Sequence, residues 1–203
     1  MRIVDRLLQA WRAWKARPWI TAGARVLDIG CHQGEFLRGL GDHIGPSTGL
    51  DPLARPEAAP RFRIVAEPFR EPTGFADESF DAVVLLATLE HVPDKEPLAR
   101  ECRRILTPGG RVIVTVPTPF VDRIVEWLCR LRLADGMSLD EHHGFDPSQT
   151  PAIFTRHGFD VEHAGWFQLG LNRLFVFRKR PESLSSLGEP ADSTEQISTA
   201  VHA

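Results

Sequence analysis

From Arg25 onward, short runs rich in Val, Ile, Leu and Phe alternate with segments of helical character: RVLDIG, STGLDP, RFRIVAE, SFDAVVLLA, GRVIVTVP, DVEHAGWFQ and NRLFVFRKR. Strands separated repeatedly by helices leave few folds open, because parallel neighbours need a crossover and the crossover packs back on the sheet. Val83 to Leu86 and Val112 to Val116 are apolar without alternation, the pattern of strands covered on both faces. Helical segments fall at residues 35–42, 96–106, 120–133 and 148–157, while the Pro-rich connector 54–60 is expected to form little helix. The last two strands, near residues 160–168 and 171–180, are joined only by a turn around Gly170, so they form an antiparallel hairpin. The expected fold is an α/β domain with a seven-stranded, mostly parallel sheet and helices on both faces.

Composition narrows what such a sheet serves. The 203 residues carry 24 Lys+Arg against 27 Asp+Glu, a net charge of −3, which gives no global positive field for a nucleic-acid backbone. No basic, aromatic-interleaved surface reads as an RNA module either, so nucleic acid is not an expected partner. Cys31, Cys102 and Cys129 lack any C-x-x-C spacing and fit a reducing cytoplasm. Arg2, Asp5 and Arg6 are followed by no uninterrupted apolar stretch, unlike a secretory signal. The longest apolar run, Ala82 to Leu89, is far shorter than the roughly 20 residues of a membrane span.

Three regions are expected along the chain. Residues 1–20 read as an amphipathic helix with Val4, Leu7, Leu8, Trp11 and Trp14 at helical spacing, and with Arg2, Arg6, Arg12, Lys15 and Arg17 against the single acid Asp5. That apolar face is expected to pack on the protein, with peripheral membrane contact as the competing use. Residues 21–180 form the sheet domain. Within it, residues 118–147 are expected to cap the substrate site, with Phe120, Ile124, Trp127, Leu128 and Leu131 as an apolar stripe. Residues 181–203, rich in Ser, Pro and acidic residues, are expected to be disordered.

Two loops carry the chemistry. In VLDIGCHQGEFL (residues 26–37), Gly30 and Gly34 make a tight strand-to-helix turn in which a missing Cβ lets backbone approach a ligand. The spacing G-x-x-x-G departs from the dinucleotide fingerprint G-x-G-x-x-G, which weakens nicotinamide and flavin readings. GLDP places Asp51 at the carboxyl end of the second strand, where a carboxylate grips a ribose through two hydroxyls. Open α/β sheets bind ligands at this edge, so an adenosine-containing cofactor is expected.

Taken in order, VLDIGCHQGEFL, GLDP, SFDAVVLLATLEHVPD and LTPGGRVIVTVP, spanning residues 25–117, resemble the successive motifs of the class I S-adenosylmethionine-dependent methyltransferases of small-molecule type. The resemblance implies a Rossmann-like sheet of order 3-2-1-4-5-7-6 with the last strand antiparallel. It also implies S-adenosyl-L-methionine as cofactor and a small molecule as methyl acceptor. Asp28, Gly30 and Gly34, with Cys31 and His32 in the same loop, would wrap the methionine end; Asp51 would hold the ribose; Pro52 and Leu53 would pack on adenine; the carbonyls of Leu86 and Ala87 would meet the methionine amine. His32 stands where many members have glycine, so its side chain is expected to point away from the cofactor. Glu67 and Glu71 are the candidates for accepting from the adenine amine.

The sulfonium methyl is already activated, so the protein supplies position and exclusion of water, and proximity alone contributes roughly 7–11 kcal/mol. A hydroxyl acceptor would gain from a general base, for which His91, His142 and His143 are the candidates. Packing or capping of a short helix is the competing role for His91. Glu90-His91 also resembles the E-x-x-E-H stretch of metal-assisted O-methyltransferases, but Ala87 stands at the first glutamate, leaving the ligand set one short; no metal site is assigned. The expected function is methyl transfer to an O, N or C nucleophile of a small metabolite, with a sugar or a lipid-linked precursor in view. The other reading is a catalytically silent domain that senses the cofactor or docks a partner.

Overall fold

The computed structural model describes residues 3–118 and 146–181. Its sheet is built from β1 (Val26–Ile29), β2 (Ser47–Leu50), β3 (Glu57–Ala58), β4 (Phe62–Val65), β5 (Phe80–Leu86), β6 (Leu106–Pro117), β7 (Phe159–Phe167) and β8 (Asn172–Lys179). They lie in the order β3-β4-β2-β1-β5-β6-β8-β7. Pairings from β4 across to β6 are parallel, and β8 runs antiparallel to both β6 and β7. Set aside β3 and this is the expected order. The correction is the eighth strand: Glu57 and Ala58 pair antiparallel with Ile64 and Arg63 at the sheet edge. Pro52, Pro56 and Pro60 deny this connector a helix, and the freed backbone pairs with the neighbouring strand instead.

Both faces of the sheet are covered. On one, Leu27, Val83, Leu85, Val112, Val114, Phe175 and Phe177 pack under α3 (Lys95–Ile105) and α4 (Thr150–Arg156). Phe154 of α4 stacks on Phe177 with ring centroids 4.5 Å apart. On the other face, Val26, Val84, Ile113 and Val176 pack under α2 (Glu35–Leu40), through Phe36, Leu37 and Leu40. Consecutive residues thus alternate between two buried faces, which is why the strands read as unbroken apolar runs. Helix α3 starts where the Asp94 carboxylate accepts from the Glu96 N–H at 3.1 Å, a side-chain cap of the kind worth about 1 kcal/mol.

An N-terminal helix, α1 (Ile3–Ala16), crosses the carboxyl edge of the sheet. One anchor is the Gln168 amide, which donates to the Leu8 carbonyl at 2.8 Å. The other is Arg17, whose Nη1 donates to the Gly39 carbonyl at 2.9 Å, next to the buried Ala16 and Ile20. Here the structure corrects the sequence reading: Leu7, Trp11 and Trp14 do not pack inward but are 65%, 41% and 64% exposed. The helix is held by polar contacts and small residues near its ends, so its half-buried side is the one carrying Leu8, Gln9, Arg12 and Ala13. Residues 119–145, which include His142, His143, Cys129 and nearly all of the expected cap, lie outside the described residues, as does the tail from residue 182.

Candidate functional site

β1 leaves the sheet at Gly30, whose φ of 74° falls in the left-handed region. A Cβ there would lie 2.4 Å from Thr88 Oγ1 and 2.5 Å from its Cγ2. The turn closes at Gly34, φ 80°, where a Cβ would meet Ile64 Cδ1 at 2.6 Å. Two glycines are thus required by dihedral and by space, and they bring the β1–α2 turn against β2, where the Gly30 N–H donates to the Leu50 carbonyl at 2.8 Å. His32 occupies the same turn with φ 51°, and its ring is half-exposed with Nδ1 2.8 Å from Glu35 Oε1. It points outward.

Asp51 follows β2 and is fixed by two backbone donors. The His32 N–H donates to Oδ2 at 2.9 Å and the Leu53 N–H to Oδ1 at 2.8 Å. A carboxylate has about four lone-pair sites, so two remain for a ligand while the group's orientation is already set. Gln33 steadies the loop beyond: its Oε1 accepts from the Arg55 N–H at 3.2 Å and its Nε2 donates to the Leu53 carbonyl at 3.3 Å. Pro52 is exposed, and Leu53 is 83% exposed, an apolar side chain at the mouth of the site with no protein cover.

Asp28, by contrast, is buried within β1 at 2% exposure. Burial pushes its carboxyl up from 3.8 to about 7, and the neighbouring carboxylates of Glu35 and Asp51 add to the rise. Burial likewise pushes the Cys31 thiol up, so this cysteine packs rather than reacts. At the end of β5, Leu86 is half-buried and Ala87 takes a φ of 56°, uncommon for a residue with a Cβ. The Ala87 N–H is held by the Thr115 carbonyl at 2.9 Å. Such local strain is characteristic of ligand sites.

A cavity of about 660 Å³ opens beside the Gly30 turn. Asp28, Gly30, Cys31 and Leu86 form its floor, α2 one side, and α1 the other. That size suits one cofactor-sized ligand with an acceptor group beside it. The sequence reading treated α1 as a separate element; its role as a wall depends on the Gln168 and Arg17 contacts, which no periodicity reveals. Thr88, filling the space over Gly30, was also missed.

The remaining candidates are spread wider. His91 lies in a single turn of 3-10 helix, Leu89–His91, after β5, and is half-buried, with its N–H donating to the Thr88 carbonyl at 3.0 Å. Glu67 is exposed beyond β4, whereas Glu71 pairs with Arg100 of α3 at 3.5 Å. His142 and His143 lie outside the described residues. Among the described residues no group of three or more His, Cys, Asp or Glu is gathered as a metal site.

Comparison with known proteins bears on the family and the fold. A family model for a methyltransferase domain matches residues 2–164. The ubiquinone biosynthesis O-methyltransferase of Pseudomonas aeruginosa is 37% identical over 154 residues, covering 70% of this chain and 66% of that protein, so the chain spans less than two thirds of that relative. Methyltransferase GfsG of Streptomyces halstedii is 26% identical over 159 residues, covering 70% of this chain and 55% of that one. The methyltransferase solved with the Haloferax volcanii Trm112 methyltransferase activator superposes with a TM-score of 0.63 at 17% identity, over 89% of this chain and 99% of the other. An S-adenosylmethionine-dependent methyltransferase from Mesorhizobium loti superposes with a TM-score of 0.62 at 19% identity, over 85% of this chain and all of the other (100%). At these identities the solved structures speak for the fold.

Proposed function

Since the chain belongs to the class I S-adenosylmethionine-dependent methyltransferase family, we propose that it moves the methyl group of S-adenosyl-L-methionine to a hydroxyl oxygen of a small metabolite. The observation that carries the proposal is the pre-set Asp51 carboxylate, held by the His32 N–H of the same turn whose Gly30 lines the cavity together with the buried Asp28. Oxygen as the acceptor atom follows the named activity of the Pseudomonas relative.

The residues present fit the cofactor. Asp51 keeps acceptor capacity for two ribose hydroxyls, Pro52 and the exposed Leu53 would offer apolar cover for adenine, and the exposed Glu67 would accept from its amine. At the other end Asp28 and the carbonyls of Leu86 and Ala87, which follow one another at the end of β5, would hold the methionine ammonium. When bound, the sulfonium supplies an activated methyl group and no further reagent is needed. His91, following β5, takes the acceptor hydroxyl's proton; His142 and His143 are the further candidates for this step. Incubation with methyl-labelled cofactor and a metabolite extract tests the reading: a labelled methyl ether is expected. Cofactor binding without any labelled product assigns the chain to sensing instead. His91→Gln is expected to lower kcat by about 10²- to 10⁴-fold with cofactor affinity unchanged, measured on the product the extract identifies.

Asp28 gives a second signed expectation. Its folded-state pKa is raised, so the stability linked to its proton is full below about pH 4 and lost as pH rises through 7. Asp28→Asn removes that loss, and the cofactor-free protein is expected to gain on the order of 2 kcal/mol at pH 8 in urea unfolding. The same change removes the charge that would meet the ammonium, so S-adenosylmethionine affinity falls. A variant that loses both stability and affinity contradicts this assignment.

Cytoplasmic placement with peripheral contact to a membrane surface belongs to the same proposal. The exposed Leu7, Trp11 and Trp14 stripe beside Arg6 and Lys15 favours it. No helix among the described residues is long and apolar enough to cross a membrane. Liposome flotation that is lost in a Trp11→Ser, Trp14→Ser variant supports the contact; no flotation of the unmodified protein removes it.

A further inference from the structure

The cavity wall formed by α1 is cationic. Arg6, Arg12 and Arg17 all line it, with Gln9 between them, against Asp28 and Glu35 on the opposite side. Neither acid is a free counter-charge. Glu35 already accepts from the Gln33 N–H at 3.1 Å and meets the His32 ring, and burial raises the Asp28 pKa to about 7, which weakens it as a counter-charge. Resting on the reading of this cleft as the cofactor and acceptor site, we propose that the acceptor carries an anionic group, a carboxylate or a phosphate, and that Arg6, Arg12 and Arg17 receive it.

Three observations point this way. Arg12 is half-buried, its Nε is buried without a hydrogen-bond partner, and burial pulls its guanidinium pKa down against the opposing charges of Glu90 and Asp5. A buried donor left unused on a charged group is costly, and an oxyanion bound at this guanidinium would add to the partial compensation from Glu90 and Asp5. Second, residues 6 to 16 extend roughly 15 Å along α1 at 1.5 Å per residue and Arg17 follows directly, more than one carboxylate reaches, so the set exceeds what the methionine carboxylate of the cofactor requires. Third, S-adenosylmethionine is itself a net cation. Beside a cationic wall, an acceptor that brings negative charge is favoured and a neutral or cationic one is selected against. Arginine suits the task because its planar fork meets carboxylate or phosphate oxygens in pairs.

The test uses inorganic phosphate as the probe, titrated calorimetrically at low ionic strength into the full chain, alone and saturated with S-adenosylhomocysteine. Saturable phosphate binding is expected in both, with affinities within about threefold of each other. Arg12→Gln and the exposed Arg6→Gln are each expected to weaken it by about tenfold, the effect of losing one charge-assisted contact. Absence of saturable phosphate binding, or affinities unchanged in both variants, overturns the proposal. Phosphate binding that disappears when S-adenosylhomocysteine is present overturns it differently, by giving the arginines to the cofactor's own carboxylate. If S-adenosylhomocysteine itself fails to bind, the reading of the cleft fails, separately from the phosphate result.

Discussion

Asp51→Ala is expected to weaken S-adenosylmethionine binding by about 10²- to 10⁴-fold. The two ribose hydrogen bonds assigned to this carboxylate are charge-assisted, each worth roughly 1.5–3 kcal/mol. The loss is compounded because the His32 and Leu53 N–H groups, which now donate to Oδ2 and Oδ1, would have to turn to water. The β1–α2 turn and the loop after β2 would then keep only the Gln33 contacts to Leu53 and Arg55 as side-chain ties between them. Asp51→Asn keeps one acceptor oxygen and is expected to fall between alanine and the unmodified protein. Calorimetric dissociation constants for the three proteins decide the matter, and an Asp51→Ala constant equal to the unmodified one removes the ribose from this residue.

Gly30→Val should be the most damaging single change to the fold near the site. The backbone at φ 74° is a left-handed conformation that costs about 1–2 kcal/mol for a residue with a Cβ and more for a branched one. The new Cβ also lands 2.4 Å from Thr88 Oγ1 and 2.5 Å from its Cγ2, and overpacking of this kind costs about 1–3 kcal/mol. Together these predict a loss of about 3 kcal/mol in urea unfolding and no measurable cofactor binding. Thr88→Ala removes both colliding atoms. Combined with Gly30→Ala it should recover the packing part and leave the dihedral part, a non-additivity that a double-mutant cycle reads directly. Unaltered stability of Gly30→Val would mean that the turn opens without cost and that Thr88 does not define it.

The sheet was legible because its physics is local in sequence. Unbroken apolar runs at Val83 to Leu86 and Val112 to Val116 mark strands covered twice, and the short link at Gly170 permits only a hairpin. Placing Asp51 and the Gly30 turn at one edge needed only the knowledge that both follow neighbouring parallel strands. What the sequence hid depends on tertiary contacts. The two-residue β3 has no periodicity to read. Leu7, Trp11 and Trp14 share a helix face, but periodicity says nothing of what that face meets, and Gln168 and Arg17 fix α1 so that all three stay exposed, Trp14 also lining the cavity. The raised pKa of Asp28 is a sum over burial and two neighbouring carboxylates, Glu35 and Asp51, that the fold brings in from other segments. The left-handed Ala87 gives no compositional sign, since alanine is not the residue expected there.

Calorimetric titration of the protein with S-adenosylmethionine at pH 6, 7 and 8, in buffers of different ionisation enthalpy, addresses the central claim most directly. One site is expected, with a proton released near pH 7 as the ligand's ammonium draws Asp28 into its charged form, and with affinity falling by up to about tenfold per pH unit below 7. Absence of binding heat up to millimolar cofactor at all three pH values would contradict the account.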